Sequence, residues 1–391
     1  MEFLCFIEER GEEMTCLRDK QILYNMKNWM KKESVLIIAV GLAILSSFYQ
    51  LPKWSYINVK VLILLFNLML LIAAFKDYNV LDYFASLLLN RSKTIKQTSY
   101  LLVALTFVAS MVMTNDVALI TFVPLTLIIG KKLNKNVMKW VVIQTLAANL
   151  GSSLTPMGNP QNLFLYTYYE INLFSFLRIT IGMTLIACLF LIGVLQNESH
   201  QKITYQIPLP AIKDKGKVIG FVALFLLVLA SVIGRIDYQV VFVVIIFYTF
   251  IMNKSLFKKI DYSLLVTFIG FFIFVGNLAS VPQIKIYLSS MLNHKGTTYI
   301  GGILLSQVIS NVPAAMLLAP FTENWKEILL GVNVGGMGTL IASMASLISY
   351  RLYIEAYATE QKVYLKSFTV YNLIGLLIFI PIVGMLIFFI R

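Results

Sequence analysis

Long apolar segments constrain this chain more than any other feature of its sequence. A helix needs about 20 apolar residues to cross the hydrocarbon core of a bilayer. Seven segments reach or approach that length, at about 34–50, 57–75, 175–195, 218–234, 237–252, 262–280 and 368–390. Hydrophobic residues make up 59% of the 391 residues and charged residues only 13%, which no soluble domain requires. The sequence therefore predicts an all-α polytopic membrane protein with about 9–11 transmembrane segments.

A polar interruption divides a further apolar segment. Residues 111–124 read MVMTNDVALITFVP, with Thr114-Asn115-Asp116 near the middle. The arm before the interruption, starting at Thr98, would be roughly 24 Å long as a helix, which is short of a ~30 Å core. Irregular backbone at that depth is tolerated only where protein or a wet cavity satisfies its polar groups. The segment therefore predicts a re-entrant hairpin near 98–130 whose tip faces a cavity.

The second half of the chain carries a matching interruption. Residues 308–320 read VISNVPAAMLLAP. A proline follows nine residues after the central asparagine in both halves, at Pro124 after Asn115 and at Pro320 after Asn311. We therefore predict a second re-entrant hairpin near 298–325, with Ser310 and Asn311 at its tip.

Another pair of matching segments follows the two hairpins. Residues 149–159 read NLGSSLTPMGN and residues 333–343 read NVGGMGTLIAS. An asparagine, a glycine two residues later and a threonine six residues later recur in both, as Asn149, Gly151 and Thr155 and as Asn333, Gly335 and Thr339. Paired interruptions of this kind point to a transporter binding site, although close helix packing also favours small residues. The segments predict broken helices near 138–166 and 328–350.

The distribution of lysine and arginine predicts the orientation in the cell membrane. With a cytoplasmic N-terminus, most of these residues fall in cytoplasmic loops, provided that each hairpin returns to the face from which it came. The two halves are then inverted, and the C-terminus lies outside. The predicted order is a cytoplasmic tail (1–33), a first inverted repeat (34–197), a cytoplasmic linker (198–217) and a second inverted repeat (218–391).

These four segments resemble the signature segments of a transporter superfamily. MTNDVALITFVP, ANLGSSLTPMGNPQNLFLY, SNVPAAMLLAPF and GVNVGGMGTLIASMASL are similar to those of the arsenite permease, NhaD-type and citrate-transporter-like permeases of the ion transporter superfamily. The resemblance covers the chain from about residue 34 to its end. It implies an inverted-repeat fold with a scaffold domain and a transport domain, assembled as a homodimer.

The resemblance also assigns the two hairpin tips. Thr114-Asn115-Asp116 takes the place of the Ser-Asn-Thr tip that holds a carboxylate and sodium in the related divalent anion–sodium symporters. Ser310-Asn311-Val312 takes the place of the second tip. Both depart from the pattern, since Asp116 and Val312 stand where the relatives have threonine. The acid at the first tip argues against dicarboxylate binding and favours the permease and antiporter branch.

The candidate substrate- and ion-binding residues lie at the two tips and the two breaks. They are Thr114, Asn115, Asp116, Asn149, Gly151, Thr155, Asn159, Ser310, Asn311, Asn333, Gly335 and Thr339. An acid at bilayer depth costs several kcal/mol and marks a functional site by default. Asp116 is therefore a candidate Na⁺ ligand, with Asn115 and Asn311, or a proton carrier. The simpler alternatives are a helix cap for Asp116 and helix–helix hydrogen bonds for the asparagines and threonines.

These features predict a secondary active transporter for a small anion, coupled to a sodium or proton gradient through an elevator or rocking motion. The alternative is a sodium–proton antiporter that exchanges ions at Asp116. The sequence contains no Walker A, HExxH or nucleophile-elbow motif, which argues against an enzyme and against any cofactor beyond the coupling ion. The expected partners are the substrate, the lipid bilayer and a second copy of the chain. A partner ATPase stays open, and nucleic acid is not expected.

Overall fold

The computed structural model describes residues 33–203 and 205–389, which are almost entirely helical. The α-helices in these ranges are α1 (Ser34–Tyr49), α2 (Val59–Asp77), α3 (Val80–Leu89), α4 (Ile95–Val112), α5 (Asn115–Lys132), α6 (Met138–Gly151), α7 (Pro160–Tyr168), α8 (Leu173–Leu195), α9 (Lys215–Val232), α10 (Tyr238–Met252), α11 (Tyr262–Ala279), α12 (Pro282–Leu292), α13 (Thr297–Ile309), α14 (Asn311–Leu318), α15 (Trp325–Gly335), α16 (Met344–Ala356) and α17 (Gln361–Phe389). The predicted all-α class is confirmed, whereas the 9–11 transmembrane segments and the inverted repeats stay predictions. The predicted N-terminal tail, except its last residue, lies outside the described residues.

Six helices within the described ranges are long and apolar enough to cross a membrane: α2, α4, α8, α9, α11 and α17. Two further apolar helices, α1 with 16 residues and α10 with 15, are somewhat shorter. Each of the seven apolar segments predicted from the sequence coincides with a helix. The chain is therefore a multi-pass membrane protein.

Polar residues at the helix starts explain where several of these helices begin. Asn58 accepts a hydrogen bond from the Val61 N–H at the start of α2, and Asn172 accepts one from Phe174 at the start of α8. The first N–H groups of a helix have no partner within the helix, so such caps stabilise each start by about 1 kcal/mol.

The first hairpin is built from α4 and α5, which have 18 residues each. The predicted arms were too short, because α4 already begins at Ile95, after the cap at Thr94, and α5 begins directly at Asn115. Each arm is roughly 27 Å long, close to the thickness of the hydrocarbon core. Arm length therefore does not support re-entry here. Burial of the tip supports it instead, since Thr114 is 8% and Asn115 4% exposed.

The second hairpin is shorter. Its first arm, α13, has 13 residues, and its second arm consists of the 8 residues of α14 and a 3-10 turn, Ala319–Phe321. The paired prolines behave differently in the two halves. Pro124 lies inside the continuous helix α5, whereas Pro320 lies in the 3-10 turn that follows α14.

Each hairpin is followed by a broken helix. In the first half α6 ends at Gly151, and a 3-10 turn, Ser152–Leu154, leads towards α7. In the second half α15 ends at Gly335, and another 3-10 turn, Leu340–Ala342, leads towards α16. The first segment of each broken helix thus ends at one of the two glycines, Gly151 and Gly335, that match between the halves of the sequence.

Internal contacts divide the chain into two units. One contains residues 33–57 together with 261–277, where the Asn277 side chain donates a hydrogen bond to Ser46 Oγ over 3.1 Å. The other contains the described residues from 58 to 260 and from 278 to 389. This second unit holds both hairpins and both broken helices.

The predicted linker, residues 198–217, lies along the base of the first hairpin. The Ile95 N–H donates to the Gln201 carbonyl over 3.1 Å, and the Glu198 carboxylate accepts hydrogen bonds from Lys139 (2.9 Å) and Lys135 (3.2 Å). Burial by itself raises the pKa of Glu198, but hydrogen bonds from Lys139, Trp140 and Lys135 outweigh it and hold the pKa below its ordinary value. The linker is therefore anchored to the start of α6 and to the loop before it.

Candidate functional site

Glycines at the ends of α6 and α15 allow each broken helix to contact the first arm of its hairpin closely. A Cβ atom on Gly151 would lie 2.3 Å from the Phe107 carbonyl oxygen and 2.5 Å from Ser110 Oγ. A Cβ atom on Gly335 would lie 2.7 Å from Ser306 Oγ. Ser110 and Ser306 each lie five residues before the asparagine of their hairpin tip. The two halves therefore make the same contact with matching residues.

The paired threonines also make matching contacts. The Thr155 hydroxyl donates to the backbone carbonyl of Met111, and the Thr339 hydroxyl donates to the backbone carbonyl of Gln307 over 3.1 Å. Met111 and Gln307 each lie four residues before the tip asparagine. Both threonines thus join the break to the hairpin arm. This is the simpler role that the sequence left open for them, and the Thr339 side chain is exposed at the protein surface.

The first hairpin tip is fixed to both sides of the first break. The Asn115 backbone N–H donates to the Gly158 carbonyl over 3.0 Å. Its side-chain amide donates to Asn149 Oδ1 over 3.1 Å. Gly158 is itself tightly enclosed, because a Cβ atom there would lie 2.1 Å from the Ser152 carbonyl oxygen. The tip and the break therefore form one packed unit.

Asn149, near the end of α6, connects this unit to the second half of the chain. Its Oδ1 atom accepts a hydrogen bond from Ser343 Oγ over 2.9 Å. Its Nδ2 atom donates to the Gly336 carbonyl over 3.2 Å and lies 3.4 Å from Ser346 Oγ. Ser343 is the N-cap residue of α16.

Asn333 makes the reciprocal contacts with the first half. Its Oδ1 atom accepts a hydrogen bond from Asn159 Nδ2 over 3.0 Å, and its Nδ2 atom donates to Asn162 Oδ1 over 2.7 Å. Asn159 is the N-cap residue of α7. Asn149, Asn159, Asn162 and Asn333 are each at most 3% exposed.

The two sets of contacts are equivalent by position. Ser343 and Ser346 lie ten and thirteen residues after Asn333, and Asn159 and Asn162 lie ten and thirteen residues after Asn149. Each central asparagine thus contacts the start of the second broken-helix segment in the opposite half. Matching contacts of this kind support an internal repeat. The opposite orientation of the two repeats in the bilayer stays a prediction.

The second hairpin tip lies beside the second break. A Cβ atom on Gly336 would lie 3.0 Å from Asn311 Nδ2, and Asn311 is 4% exposed. Ser310 has φ 76° and ψ 155°, a conformation that is almost restricted to glycine and costs another residue about 1–3 kcal/mol. The strained residue therefore lies at the point where α13 passes into α14.

Asp116 lies in the first turn of α5, one residue after the helix begins. Its backbone N–H is 3.0 Å from Asn115 Oδ1, and the N-cap residue is Thr114, which makes no side-chain capping bond. A carboxylate in this turn is stabilised by the positive end of the helix dipole. This position fits an electrostatic role at the helix start and a role in binding a cation equally well.

Three polar residues of the site were missed in the sequence analysis. Ser343 and Ser346 were missed, although their spacing from Asn333 repeats that of Asn159 and Asn162 from Asn149 and would have identified them. Gln307 was missed because a methionine occupies its counterpart position, so identity between the halves gave no signal.

The residues at the tips and breaks are neutral except for Asp116. In the parts of the chain that the structure describes, no three histidine, cysteine or carboxylate side chains are grouped so as to hold a metal ion. Amide, hydroxyl and backbone groups dominate the site. Such groups suit a monovalent cation or the oxygens of a small anion rather than a transition metal.

Comparison with known proteins places these segments in a family of transporters. The citrate transporter family model matches residues 22–326, which include both tips and the first break. An uncharacterized transporter of Methanocaldococcus jannaschii is 36% identical over 324 residues, which are 81% of this chain and 88% of that protein. The inner membrane protein YbiR of Escherichia coli is 26% identical over 345 residues, which are 81% of this chain and 86% of that protein. A silicon efflux transporter of Oryza sativa is 29% identical over 124 residues, 32% of this chain and 26% of its own.

Proposed function

This chain belongs to the citrate transporter family and is a membrane transporter, and we propose that it is a secondary active transporter for a small anion, coupled to a sodium or proton gradient. One observation carries the proposal: both helix breaks and the first hairpin tip meet in a buried network of amide and hydroxyl groups. Asn149 and Asn333 connect the two halves at its centre. Polar groups buried in a membrane protein are costly and mark substrate pathways.

The helix ends support an anion as the substrate. Besides α5, whose first turn already holds the Asp116 carboxylate, three helices begin at or next to the site: α7 after Asn159, α14 at Asn311 and α16 after Ser343. A helix N-terminus carries the equivalent of about half a positive charge, and its free N–H groups bind anions. A small anion is thus stabilised without a lysine or arginine among the site residues.

Asp116 and Asn115 at the first tip are the proposed site of the coupling ion. A carboxylate and an amide oxygen are suitable ligands for Na⁺, and the carboxylate alone is a suitable proton carrier. Asn311, the third predicted ligand, lies beside Gly336 at the other break. We therefore assign it to the substrate side of the site rather than to the ion.

The proposal is tested by flux measurements in proteoliposomes. Purified protein is supplied with a panel of small anions that includes citrate, while a sodium gradient or a pH gradient is imposed separately. We expect uptake of at least one of these solutes to be accelerated by one of the two gradients. Uptake that ignores both gradients for every solute would contradict coupled transport.

The alternative function, sodium–proton antiport, is favoured by one observation, the acid in the first turn of α5. The same vesicles distinguish antiport from anion transport, because a sodium gradient drives an antiporter to move protons in the opposite direction even when no anion is present. In either case the function is that of a permease and not an enzyme. The proposal has four further parts, each with its own test: location in the plasma membrane, an elevator or rocking movement, assembly with a second copy of the chain, and a partner ATPase.

A further inference from the structure

Gln307, in the first arm of the second hairpin, fills the second helix break with its side-chain amide. Its Nε2 atom donates to the carbonyl oxygens of Gly335 (2.7 Å), Met337 (3.0 Å) and Ile303 (3.2 Å). Its Oε1 atom accepts the Thr339 N–H over 2.9 Å. One side chain thus bonds to the carbonyl at the end of α15, to a carbonyl within the break and to the N–H of Thr339 further along it.

The backbone of the break is shaped around this amide. Gly338 has φ 110°, which other residues rarely adopt, and a Cβ atom there would lie 2.2 Å from Gln307 Oε1. The positive φ requires glycine at this position, and a Cβ atom there would also displace the Gln307 amide. The close approach places the amide firmly against the break.

Three carbonyl oxygens surround Gln307 Nε2, those of Gly335 and Met337 at the break and that of Ile303 one helical turn earlier in the hairpin arm, and such a cluster resembles an arrangement in which proteins hold a cation. Cations such as Na⁺, K⁺ and Ca²⁺ are bound by oxygen ligands, and rings of backbone carbonyls are a common source of them. An amide N–H₂ group presents positive hydrogen atoms to the same oxygens. The Nε2 group of Gln307 therefore occupies the position that a cation would take at the second break.

The first break is built differently. The residue that corresponds to Gln307 is Met111, which has no N–H group in its side chain to donate. An amide is present at this break too, but it comes from Asn162 and binds the carbonyls of Ser152, Ser153 and Thr155 over 3.1–3.3 Å. These carbonyls lie beyond Gly151, the counterpart of Gly335. Among the residues that the structure describes, no side-chain amide makes the equivalent bond to the Gly151 carbonyl, and the first break lies beside the acid of the first tip.

We infer that the Gln307 amide replaces a cation in the second half, so that this transporter binds a single coupling cation, at the first tip. The statement that the bound cation drives transport rests on the proposed function. The replacement of a cation by the Gln307 amide does not, because it follows from the contacts of Gln307 with three carbonyl oxygens. Val312, where the first half has Asp116, agrees with it, because a site already filled by an amide needs no acid.

Three substitutions at position 307 separate the replacement from ordinary packing. Gln307→Glu places a carboxylate against three carbonyl oxygens, and the repulsion is relieved when Na⁺ enters between them. Gln307→Lys supplies an ammonium group with three N–H donors, which is a cation held by a covalent tether. Gln307→Met reproduces the residue of the first half and removes the donors without adding charge.

The measurement is the melting temperature of the purified full-length proteins in detergent, in choline chloride and in sodium chloride of equal ionic strength. We expect Gln307→Glu to melt at least about 3 °C below the unmodified protein in choline. Sodium should then raise its melting temperature by more than it raises that of the unmodified protein. Gln307→Lys should melt close to the unmodified protein and gain no additional response to sodium.

Two results would overturn the inference. One is a Gln307→Glu protein that responds to sodium no more than the unmodified protein. The other is a Gln307→Lys protein that is as unstable as Gln307→Glu. If Gln307→Glu does not fold, Gln307→Lys must still be more stable than Gln307→Met in choline, and the reverse order contradicts the replacement.

The melting experiment tests the inference about Gln307 and the flux experiment tests the proposed function, so each can be contradicted without the other. If no solute is transported but sodium stabilises Gln307→Glu as expected, the proposed function is wrong and the replacement of a cation by Gln307 stands. If coupled transport is found but position 307 gives no sodium response, only this inference is wrong. With both confirmed, the sodium dependence of uptake by the unmodified protein should fit a single site, with a Hill coefficient of about 1.

Discussion

The two hairpins share their contacts with the broken helices but differ at their tips. Gly151 and Gly335 both meet a serine five residues before the tip, and Thr155 and Thr339 both bond to a carbonyl four residues before it. The arms, in contrast, have 18 and 18 residues in the first hairpin but 13 and 8 in the second. The tip residues differ as well.

These differences separate what builds the fold from what serves the ion. The shared glycines and threonines hold a hairpin arm against a broken helix, which both halves need. The unshared residues concern charge and backbone strain: Asp116 opposite Val312, Gln307 opposite Met111, and Ser310 opposite Thr114. We therefore expect changes at shared positions to lower stability in either half. Changes at unshared positions should act in one half only, on coupling at Asp116 and on stability at Gln307 and Ser310.

The largest expected difference between the halves is their orientation in the membrane. After replacement of Cys5, Cys16 and Cys188 by serine, single cysteines are introduced at Lys131, at the end of α5, and at His294, before α13; both residues are exposed. An impermeant thiol reagent should reach position 131 only from the cytoplasm and position 294 only from outside. Labelling of both from the same face would end the inverted-repeat interpretation.

The next largest effect is expected for alanine at the paired glycines. Gly151→Ala directs a Cβ atom at a backbone oxygen, which cannot turn away, and should cost about 3 kcal/mol. Gly335→Ala first meets the Ser306 side chain, which has more freedom to move, and should cost about 1–2 kcal/mol. Both losses are read from the melting temperature and from flux.

Gly193→Ala in α8 is the matched control for this pair. A Cβ atom there has nothing within 4 Å, so the change should leave stability equal or slightly higher. If Gly151→Ala is as harmless as Gly193→Ala, then the close approach of α6 to α4 is not required.

The sequence predicted the positions of the helices well because their signals are local. Long apolar runs mark membrane helices, and the polar interruptions at Asn115 and Asn311 mark the helix ends. The arm lengths of the first hairpin were predicted too short, because the cap at Thr94 starts α4 before its apolar run. Arm length is set by caps as well as by apolar periodicity.

The site was predictable where the two halves have the same residue. Asn149 and Asn333 were identified by repetition, and both lie at the centre of the network. Their partnership with Ser343 and Asn159 across the halves could not be seen, because a contact between distant segments leaves no trace in local spacing. Gln307 could not be found by repetition at all, since its role exists in one half only.

The third prediction concerns the acid at the first tip. Asp116→Asn keeps the shape of the side chain and removes the charge. If Asp116 holds the coupling ion, gradient-driven uptake should fall by about tenfold or more, since each 1.4 kcal/mol of lost ion binding corresponds to tenfold in affinity. The protein should still fold, because an uncharged residue is tolerated in the first turn of α5.

Val312→Ala is the control from the other half. Because the second tip lacks an acid, this change should leave the sodium and pH dependence of uptake intact. An Asp116→Asn protein whose uptake depends on sodium and pH as before would reduce the aspartate to a residue that stabilises the start of α5, and the tips would then be equivalent in coupling.

The smallest effect, and the one that differs in sign between the halves, is expected for glycine at the two tips. Ser310 has φ 76°, whereas Thr114, at the equivalent position, has φ −61°. Glycine adopts the Ser310 conformation without strain, so Ser310→Gly recovers part of about 1–3 kcal/mol, less the roughly 0.5–1 kcal/mol of backbone entropy that glycine loses on folding. The Ser310 Oγ atom lies 3.4 Å from Asn311 Oδ1 and 3.5 Å from the Ala342 carbonyl oxygen, so its removal gives up little hydrogen bonding.

Thr114→Gly relieves no backbone strain and still carries the entropy cost of glycine. We therefore expect Ser310→Gly to raise the melting temperature by about 1–3 °C and Thr114→Gly to lower it by about the same amount. Shifts of the same sign would show that Ser310 is not strained, and the second tip would then differ from the first in its side chains alone.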